Sequence, residues 1–295
     1  MEPGTVCGAR VHLGRVPAPP AGAPVDTLVW SGQGRLIADH GHAHLEVPGT
    51  GRFAVRDGAA VTVEPAAGGD PDSVANLLYG SVAALVLAQR GEFALHACTV
   101  EVGGTGLATG LAISGPSGAG KSTTALTLEA RGHRLVTDDV SPLRLQPPRP
   151  EVMPFGRRRH VWPDTAAALG LDVTGSRPVD RRLSKLSLPA PPARPTALHA
   201  VVVLQVGPPG AAVTATDLDG LTAVPALLEN AYRVRLLAPL WSADLFRWAA
   251  DLAQRVTVHV VSRPPGRWTA DEVTDAVLAV GTDRAAAVAA AGTSE

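Results

Sequence analysis

Lysine is nearly missing from this chain. Of its 26 basic residues only Lys121 and Lys185 are lysine, so each of those positions stands out. Cysteine is scarce as well. Cys7 and Cys98 are too few for a disulfide framework and fit a reducing cytoplasm. Aromatic residues make up 4% and the formal net charge is −1. That leaves no stacking platform and no global basic field, so neither nucleic acid nor a membrane is expected as a partner. Apolar runs such as Ser81–Ala88 and Ala200–Val206 are too short to span a bilayer. Met1-Glu2-Pro3-Gly4 lacks the basic and then apolar pattern of a secretory signal, so the expected location is the cytoplasm. With 295 residues the chain can bury a large core, as one domain or two. The richness in Ala, Pro and Arg is a compositional bias and points to no function.

What the chain does have is Gly115-Pro116-Ser117-Gly118-Ala119-Gly120-Lys121-Ser122-Thr123, which fits G-x-x-x-x-G-K-[ST]. The glycines let the backbone turn so that its N–H groups face anionic oxygens. In this pattern Lys121 places a point charge on the β/γ-phosphates of a nucleotide and the Ser122 hydroxyl ligates Mg²⁺. The next helix turns its positive N-terminus toward the same phosphates. The flanks agree. Leu107–Ser114 reads as a buried strand and Ser122–Ala130 as a helix, with Gly132 as its C-cap. Arg134–Thr137 reads as a strand ending in Asp138-Asp139. Strand, loop, helix and strand together deliver two carboxylates near the phosphate site. The plainer readings are a Gly/Ser turn for the loop and a turn cap for the two aspartates. By itself the motif leaves transporters, GTPases and small-molecule kinases open.

Three regions are expected: a β-rich part over 1–72, a nucleotide domain over 73–280 and a flexible Ala-rich tail over 281–295. In the first, short runs such as Arg35–Ala38, His44–Val47, Phe53–Val55 and Val61–Glu64 alternate between glycines. Ser73–Arg90 carries Val74, Leu77, Leu78, Val82, Leu85 and Val86 at helical spacing. Strands are expected at Ala94–Val102, Ala200–Val206 and Val256–Val261, and helices at Val224–Tyr232, Ala243–Arg255 and Ala270–Val280. Between two proline-rich loops the chain from 157 to 185 is basic and polar. Its cluster Arg157, Arg158 and Arg159, with Arg181, Arg182 and Lys185, has two readings. One is a solvated loop. The other is a site for an acidic peptide or a transferred phosphate, which suits arginine's fork.

Further residues narrow the family. His96 stands in Leu95-His96-Ala97 on the strand before the loop. After the loop come Arg131-Gly132-His133-Arg134-Leu135-Val136 and then Asp138-Asp139-Val140. In order and spacing the block Leu95–Val140 resembles the kinase domain of the HPr kinase/phosphorylase family. Residues 29–90 more loosely resemble the N-terminal part of HPr-kinase-like proteins, some of which accompany gene clusters for peptide modification, including lasso peptides. The resemblance implies an α/β fold: a P-loop, HPr-kinase-like nucleotide-binding sheet with helices, plus the N-terminal β-rich region. It implies an ATP- and Mg²⁺-dependent serine-kinase-like phosphotransferase and allows a homo-oligomer. It assigns phosphate binding to Lys121 and the backbone of Gly115–Ser122, and Mg²⁺ to Ser122 with Asp139. Asp138 would accept the proton of the attacking hydroxyl, with His96 beside it to tune its basicity. A satisfied core histidine is the plainer reading of His96.

The pattern also departs from that family. The family's Glu followed by Arg-Gly is absent from Val152–Gly170. This argues against HPr as the acceptor and against the reverse, phosphorylase reaction. Asp164 either replaces the missing carboxylate or caps the helix that begins at Thr165. Cys98 shares a strand face with His96, but no orienting group marks a Cys–His nucleophile. The expected function is phosphorylation of a Ser or Thr hydroxyl on a peptide or small protein, with a ribosomal natural-product precursor of the lasso kind as favoured substrate. The alternatives are a small-molecule hydroxyl kinase and a nucleotide-binding recognition or assembly protein with little turnover.

Overall fold

A computed structural model describes residues 4–19, 21–29, 34–103, 109–146, 149–156, 158–180, 183–190 and 192–291. The chain divides into two units, one of residues 1–94 with 232–245 and one of residues 95–231 with 246–295.

Alternating apolar and polar residues make the first unit a sheet. Its strands are β1 (Thr5–Val6), β2 (Ala9–Leu13), β3 (Val25–Val29), β4 (Gly34–Ala38), β5 (His42–Val47), β6 (Gly51–Arg56) and β7 (Ala60–Pro65). They lie in the order β1-β2-β7-β6-β5-β4-β3, with β3 to β7 an antiparallel meander. The helical segment that follows is not one regular helix. α1 (Pro71–Leu77) starts at Asp70, whose carboxylate accepts from the Ser73 N–H, and has Pro71 at its first position. A π-helical turn over Leu78–Val82 then leads into α2 (Ala83–Ala88). Gln89 ties this segment to the sheet, its Oε1 accepting from Gly58 N–H at 2.7 Å. The run Ser81–Ala88 is the end of a longer helical segment, Pro71–Ala88, which has the length and hydropathy of a membrane span. It is 61% buried, as a core helix is.

The second unit carries the remaining elements. β8 (Phe93–Leu95) and α6 (Val234–Arg255) fall at the division. The strands are β9 (Ala97–Val102), β10 (Thr109–Ser114), β11 (Arg134–Thr137), β12 (Ser141–Arg144), β13 (Glu151–Val152), β14 (Arg158–Val161), β15 (Arg177–Asp180), β16 (Leu183–Pro189), β17 (Thr196–Val206), β18 (Thr214–Leu218) and β19 (Thr257–Arg263). The helices are α3 (Lys121–Ala130), α4 (Pro163–Ala168), α5 (Gly220–Glu229) and α7 (Ala270–Ala291). In the main sheet β10, β17 and β19 run parallel, and β9 lies antiparallel between β10 and β11. β10 is buried at every position, and Leu111, Ile113, Val202 and Leu204 pack with Leu128 of α3 and Val273 and Val277 of α7. This is the mixed α/β fold that the motif's flanks imply.

Several elements differ from the sequence expectation. The strand expected over Ala94–Val102 breaks at His96. α7 runs on to Ala291 rather than stopping at Val280, in keeping with alanine's high helix propensity. α6 begins at Val234 and kinks at Trp241, just past Pro239. The basic stretch is not a plain loop: β14, β16 and β15 form a three-stranded antiparallel sheet with α4 in the connection. Val161 and Leu188 of that sheet, with Ala166 of α4, bury against Leu126 of α3. A small apolar cluster thus joins a polar stretch to the helix that follows the glycine loop.

Close strand contact depends on Gly110. A Cβ there would lie 2.5 Å from the Ala197 carbonyl oxygen, where the β10–β17 register shifts. Gly110→Ala is therefore expected to cost about 1–3 kcal/mol through overpacking. Urea unfolding measures this, and an unchanged midpoint would show that the two strands part freely.

Candidate functional site

The glycine loop leaves β10 and enters α3. A Cβ on Gly115 would lie 2.3 Å from the Leu204 carbonyl oxygen on β17, so only glycine fits. Gly115, Gly118 and Gly120 all have positive φ, and Gly120 caps α3 in the left-handed region without a side chain. The first N–H groups of α3 have no intrahelical acceptor and front the loop. Lys121 is buried and folds back, its Nζ donating to the Gly115 carbonyl at 2.6 Å and the Pro116 carbonyl at 3.2 Å. Burial lowers its pKa, with the charges of Asp139 and Asp138 opposing. Ser117 is exposed and Ala119 buried, while the Thr123 hydroxyl meets that of Thr165 at 3.2 Å. From the far side Arg263 donates to loop carbonyls, Nε to Ala119 at 2.8 Å and Nη2 to Gly118 at 2.9 Å.

The two aspartates beyond β11 face different surroundings. The Asp138 side chain is 5% exposed. Its Oδ1 accepts from the Cys98 thiol at 3.1 Å and its Oδ2 from the His160 N–H at 2.6 Å. Burial pushes its pKa above the ordinary carboxylate value, partly countered by the Cys98 thiol and the His160 ring. His160 moves the other way: burial lowers it, against the pull of Asp138 and Asp139. The Cys98 sulfur is also 3.8 Å from Ser122 Oγ. Burial, and then the Asp138 charge, raise the thiol's pKa well above its usual value, so Cys98 is a neutral donor rather than a nucleophile.

Asp139 is 45% exposed and left-handed, with φ of 72°. This turn aims it at His96, whose Nδ1 lies 3.1 Å from the Asp139 carbonyl and 3.5 Å from its carboxylate. His96 therefore meets Asp139, the neighbour of Asp138 in the chain. The position of the ring follows from the bend between β8 and β9: the His96 N–H donates to the Asn230 carbonyl at 2.8 Å. Ser114 Oγ stands 2.8 Å from both His96 O and Asn230 Oδ1.

The basic residues separate. Arg157, Arg181 and Arg182 lie outside the described residues. Arg158 donates to Ser187 Oγ and to the Ser187 carbonyl at 2.7 Å, and Arg159 pairs with Glu129 on α3. Lys185 stands 5.7 Å from the centre of the Trp162 ring, and its charge lowers the pKa of both Lys121 and His160. Asp164 lies in the first turn of α4, after the cap at Trp162, and accepts from the Thr165 N–H. Among the described residues no three His, Cys, Asp or Glu side chains are grouped to hold a metal. Mg²⁺ is commonly held by one or two protein oxygens with substrate phosphates, and the Ser122 hydroxyl, linked to Asp138 through the Cys98 sulfur, fits that chemistry. The glycine cradle, the helix N-terminus and Lys121 fit a nucleotide's phosphates. His160, Asn230 and Arg263 were not legible as site residues, and Cys98 was weighed only as a nucleophile, because each takes its place at the site only through the fold.

A glycine cradle at the head of a helix, on an α/β sheet with a carboxylate pair at the next strand's end, defines a nucleotide-binding class. Residues 87–151 match the family model of the HPr Serine kinase C-terminal domain. The HPr kinase/phosphorylase of Clostridium botulinum (strain Eklund 17B / Type B) is 51% identical over 53 residues, 18% of this chain and 16% of that protein. That of Treponema pallidum (strain Nichols) is 60% identical over 47 residues, 16% of this chain and 14% of that protein. The match thus spans a small part of those relatives' length. A solved structure of the Hpr(Ser) kinase/phosphatase from Coxiella burnetii aligns with 68% of this chain and 98% of that chain, at 14% identity and a TM-score of 0.35. The matched segment, which contains the loop, His96, Asp138 and Asp139, is similar to HPr kinase/phosphorylases.

The raised pKa of Asp138 carries a stability consequence. A buried acid whose folded pKa lies above its unfolded value favours folding most below the unfolded pKa, and that stability is lost as pH rises through the folded pKa. Asp138→Asn removes the buried charge, so its melting temperature should exceed that of the wild type at pH 7. The gap should close below about pH 4, where the carboxyl is neutral in both states. Thermal melts at the two pH values test this, and a mutant no more stable at pH 7 would contradict the charge cost.

Proposed function

We propose that this protein is an ATP- and Mg²⁺-dependent kinase that phosphorylates a Ser or Thr hydroxyl of a peptide or small protein. The narrower acceptor class we favour is a ribosomal natural-product precursor peptide of the lasso kind. The observation that carries the reading is the line from Ser122 through Cys98 to Asp138. It joins the Mg²⁺-ligating position of the loop to a buried carboxylate with a raised pKa. The likeness to HPr kinase/phosphorylases over the same segment supports it.

ATP supplies the phosphoryl group and Mg²⁺ neutralises charge on it. Lys121 and the loop N–H groups would hold the phosphates, and Ser122 with Asp139 would hold the ion. Asp138 takes the proton of the acceptor hydroxyl as its oxygen bonds to phosphorus and the bond to the ADP oxygen breaks. The thiol of Cys98 and the N–H of His160 keep the carboxylate oriented. His96 steadies Asp139. Lys185 and Arg158 add positive charge for the anionic transition state or for an acidic stretch of the acceptor.

Mass spectrometry of candidate peptides after incubation with Mg·ATP tests the reading. Asp138→Asn should bind ATP normally and turn over about 10²–10⁴-fold more slowly, the usual contribution of a positioned base. Lys121→Ala should lose nucleotide affinity and turnover together. ATP consumption without a phosphopeptide would move the acceptor to small molecules. ATP bound without consumption would favour a recognition protein, and equal behaviour of Lys121→Ala and wild type would end the kinase reading.

A further inference from the structure

The loop motif specifies residues 115–122 and is silent about the far end of the chain. There, Arg263 ends β19, and its own carbonyl is fixed by the Gly207 N–H at 2.8 Å. Its planar side chain reaches the outer side of the glycine loop. Nε donates to the Ala119 carbonyl at 2.8 Å, Nη2 to the Gly118 carbonyl at 2.9 Å, and Nη1 to the Pro264 carbonyl at 3.3 Å. One guanidinium thus grips two consecutive loop peptides, which a lysine's single ammonium point matches poorly.

We propose that Arg263 is a positioning residue that holds the glycine loop in its anion-binding shape and polarises it toward the phosphates. The proposal rests on the nucleotide reading above. In a trans peptide the N–H points opposite to the C=O. The N–H groups of Ala119 and Gly120 belong to the two gripped peptides, so both point away from Arg263. The Ala119 N–H closes the loop's turn onto the Pro116 carbonyl at 3.2 Å. The Gly120 N–H belongs to the residue that caps α3, where an anion is held. A hydrogen bond into a carbonyl strengthens the donor at the other end of the same peptide.

The two cations on the loop have different duties. Lys121 rests on the neutral carbonyls of Gly115 and Pro116. Phosphate oxygens are stronger acceptors, so a bound nucleotide draws Lys121 off them. Arg263 binds carbonyls on the opposite side, so it stays in place when Lys121 leaves. The loop then remains tied to β19 while its inner face changes partners.

The test is calorimetric titration of the full chain with Mg·ATP and with Mg·ADP, beside thermal melts. The proteins are wild type, Arg263→Ala, Arg263→Lys and Lys121→Ala. Arg263→Ala should weaken ATP and ADP alike by about tenfold, the size of one charge-assisted contribution. Arg263→Lys should recover part of that loss. Millimolar guanidinium should restore Arg263→Ala and leave Lys121→Ala unrestored. A loss confined to ATP would mean a direct contact to the γ-phosphate and would overturn the brace. So would a loss that guanidinium leaves unaltered and that comes with a lowered melting temperature, or an affinity equal to wild type. If wild type binds neither nucleotide, or Lys121→Ala binds as wild type does, the nucleotide reading itself fails and the proposal with it.

Discussion

The carbonyl oxygen of Leu204 stands where a side chain on Gly115 would begin, 2.3 Å from an ideal Cβ. The candidate site depends on that close approach. It forces the chain leaving β10 to turn tightly over the end of β17, and left-handed glycines at 118 and 120 complete the turn. Gly120 then opens α3 without a capping side chain, so the first helical N–H groups are left for an anion. Because β10, β17 and β19 run parallel, their carboxyl ends meet on one side of the sheet. A ligand crevice forms at such ends in open α/β sheets, and here Arg263 also emerges at that edge.

Charge burial is the second theme. Lys121 and Asp138 are both drawn out of water, and burial pulls each toward its neutral form. For Asp138 a thiol and a backbone N–H soften the cost without neutralising the group. Asp139 stays half open to solvent in a left-handed conformation that Asp tolerates better than most residues. Such a division suits the two tasks proposed for the pair, a proton acceptor kept dry and an ion ligand kept wet. Around them Lys185 and Arg158 add positive charge, whose effect is felt on His160. Burying these charges costs stability, a pattern found at many functional sites.

The sequence reading reached the parts of the site made by near neighbours. A glycine, a lysine and a hydroxyl at fixed spacing specify a turn, a helix start and the groups on it, because those conformations are local. The alternating runs of the first unit were equally legible, since a strand's two faces show in the order of residues. The basic stretch from 157 to 185 was not. Its strands carry Arg, Ser and Pro, and among their few apolar residues Val161, Leu186 and Leu188 mean nothing until Leu126 of α3 packs with them. Neither was the sorting of its cations: Arg159 is committed to Glu129, whereas Lys185 acts on Lys121 and His160.

By itself the sequence determined the α/β alternation, the glycine loop with Lys121 and Ser122, and the carboxylate pair that follows. Only the tertiary structure decided what each carboxylate would be. Asp138 takes its donors from Cys98, 40 positions earlier, and His160, 22 positions later. Asp139 meets His96, 43 positions away. Arg263 reaches the loop across 145 positions. The physical reason is that backbone turns are set by neighbours in the chain, whereas the dielectric and the hydrogen-bond partners of a buried charge are set by whatever the fold packs around it.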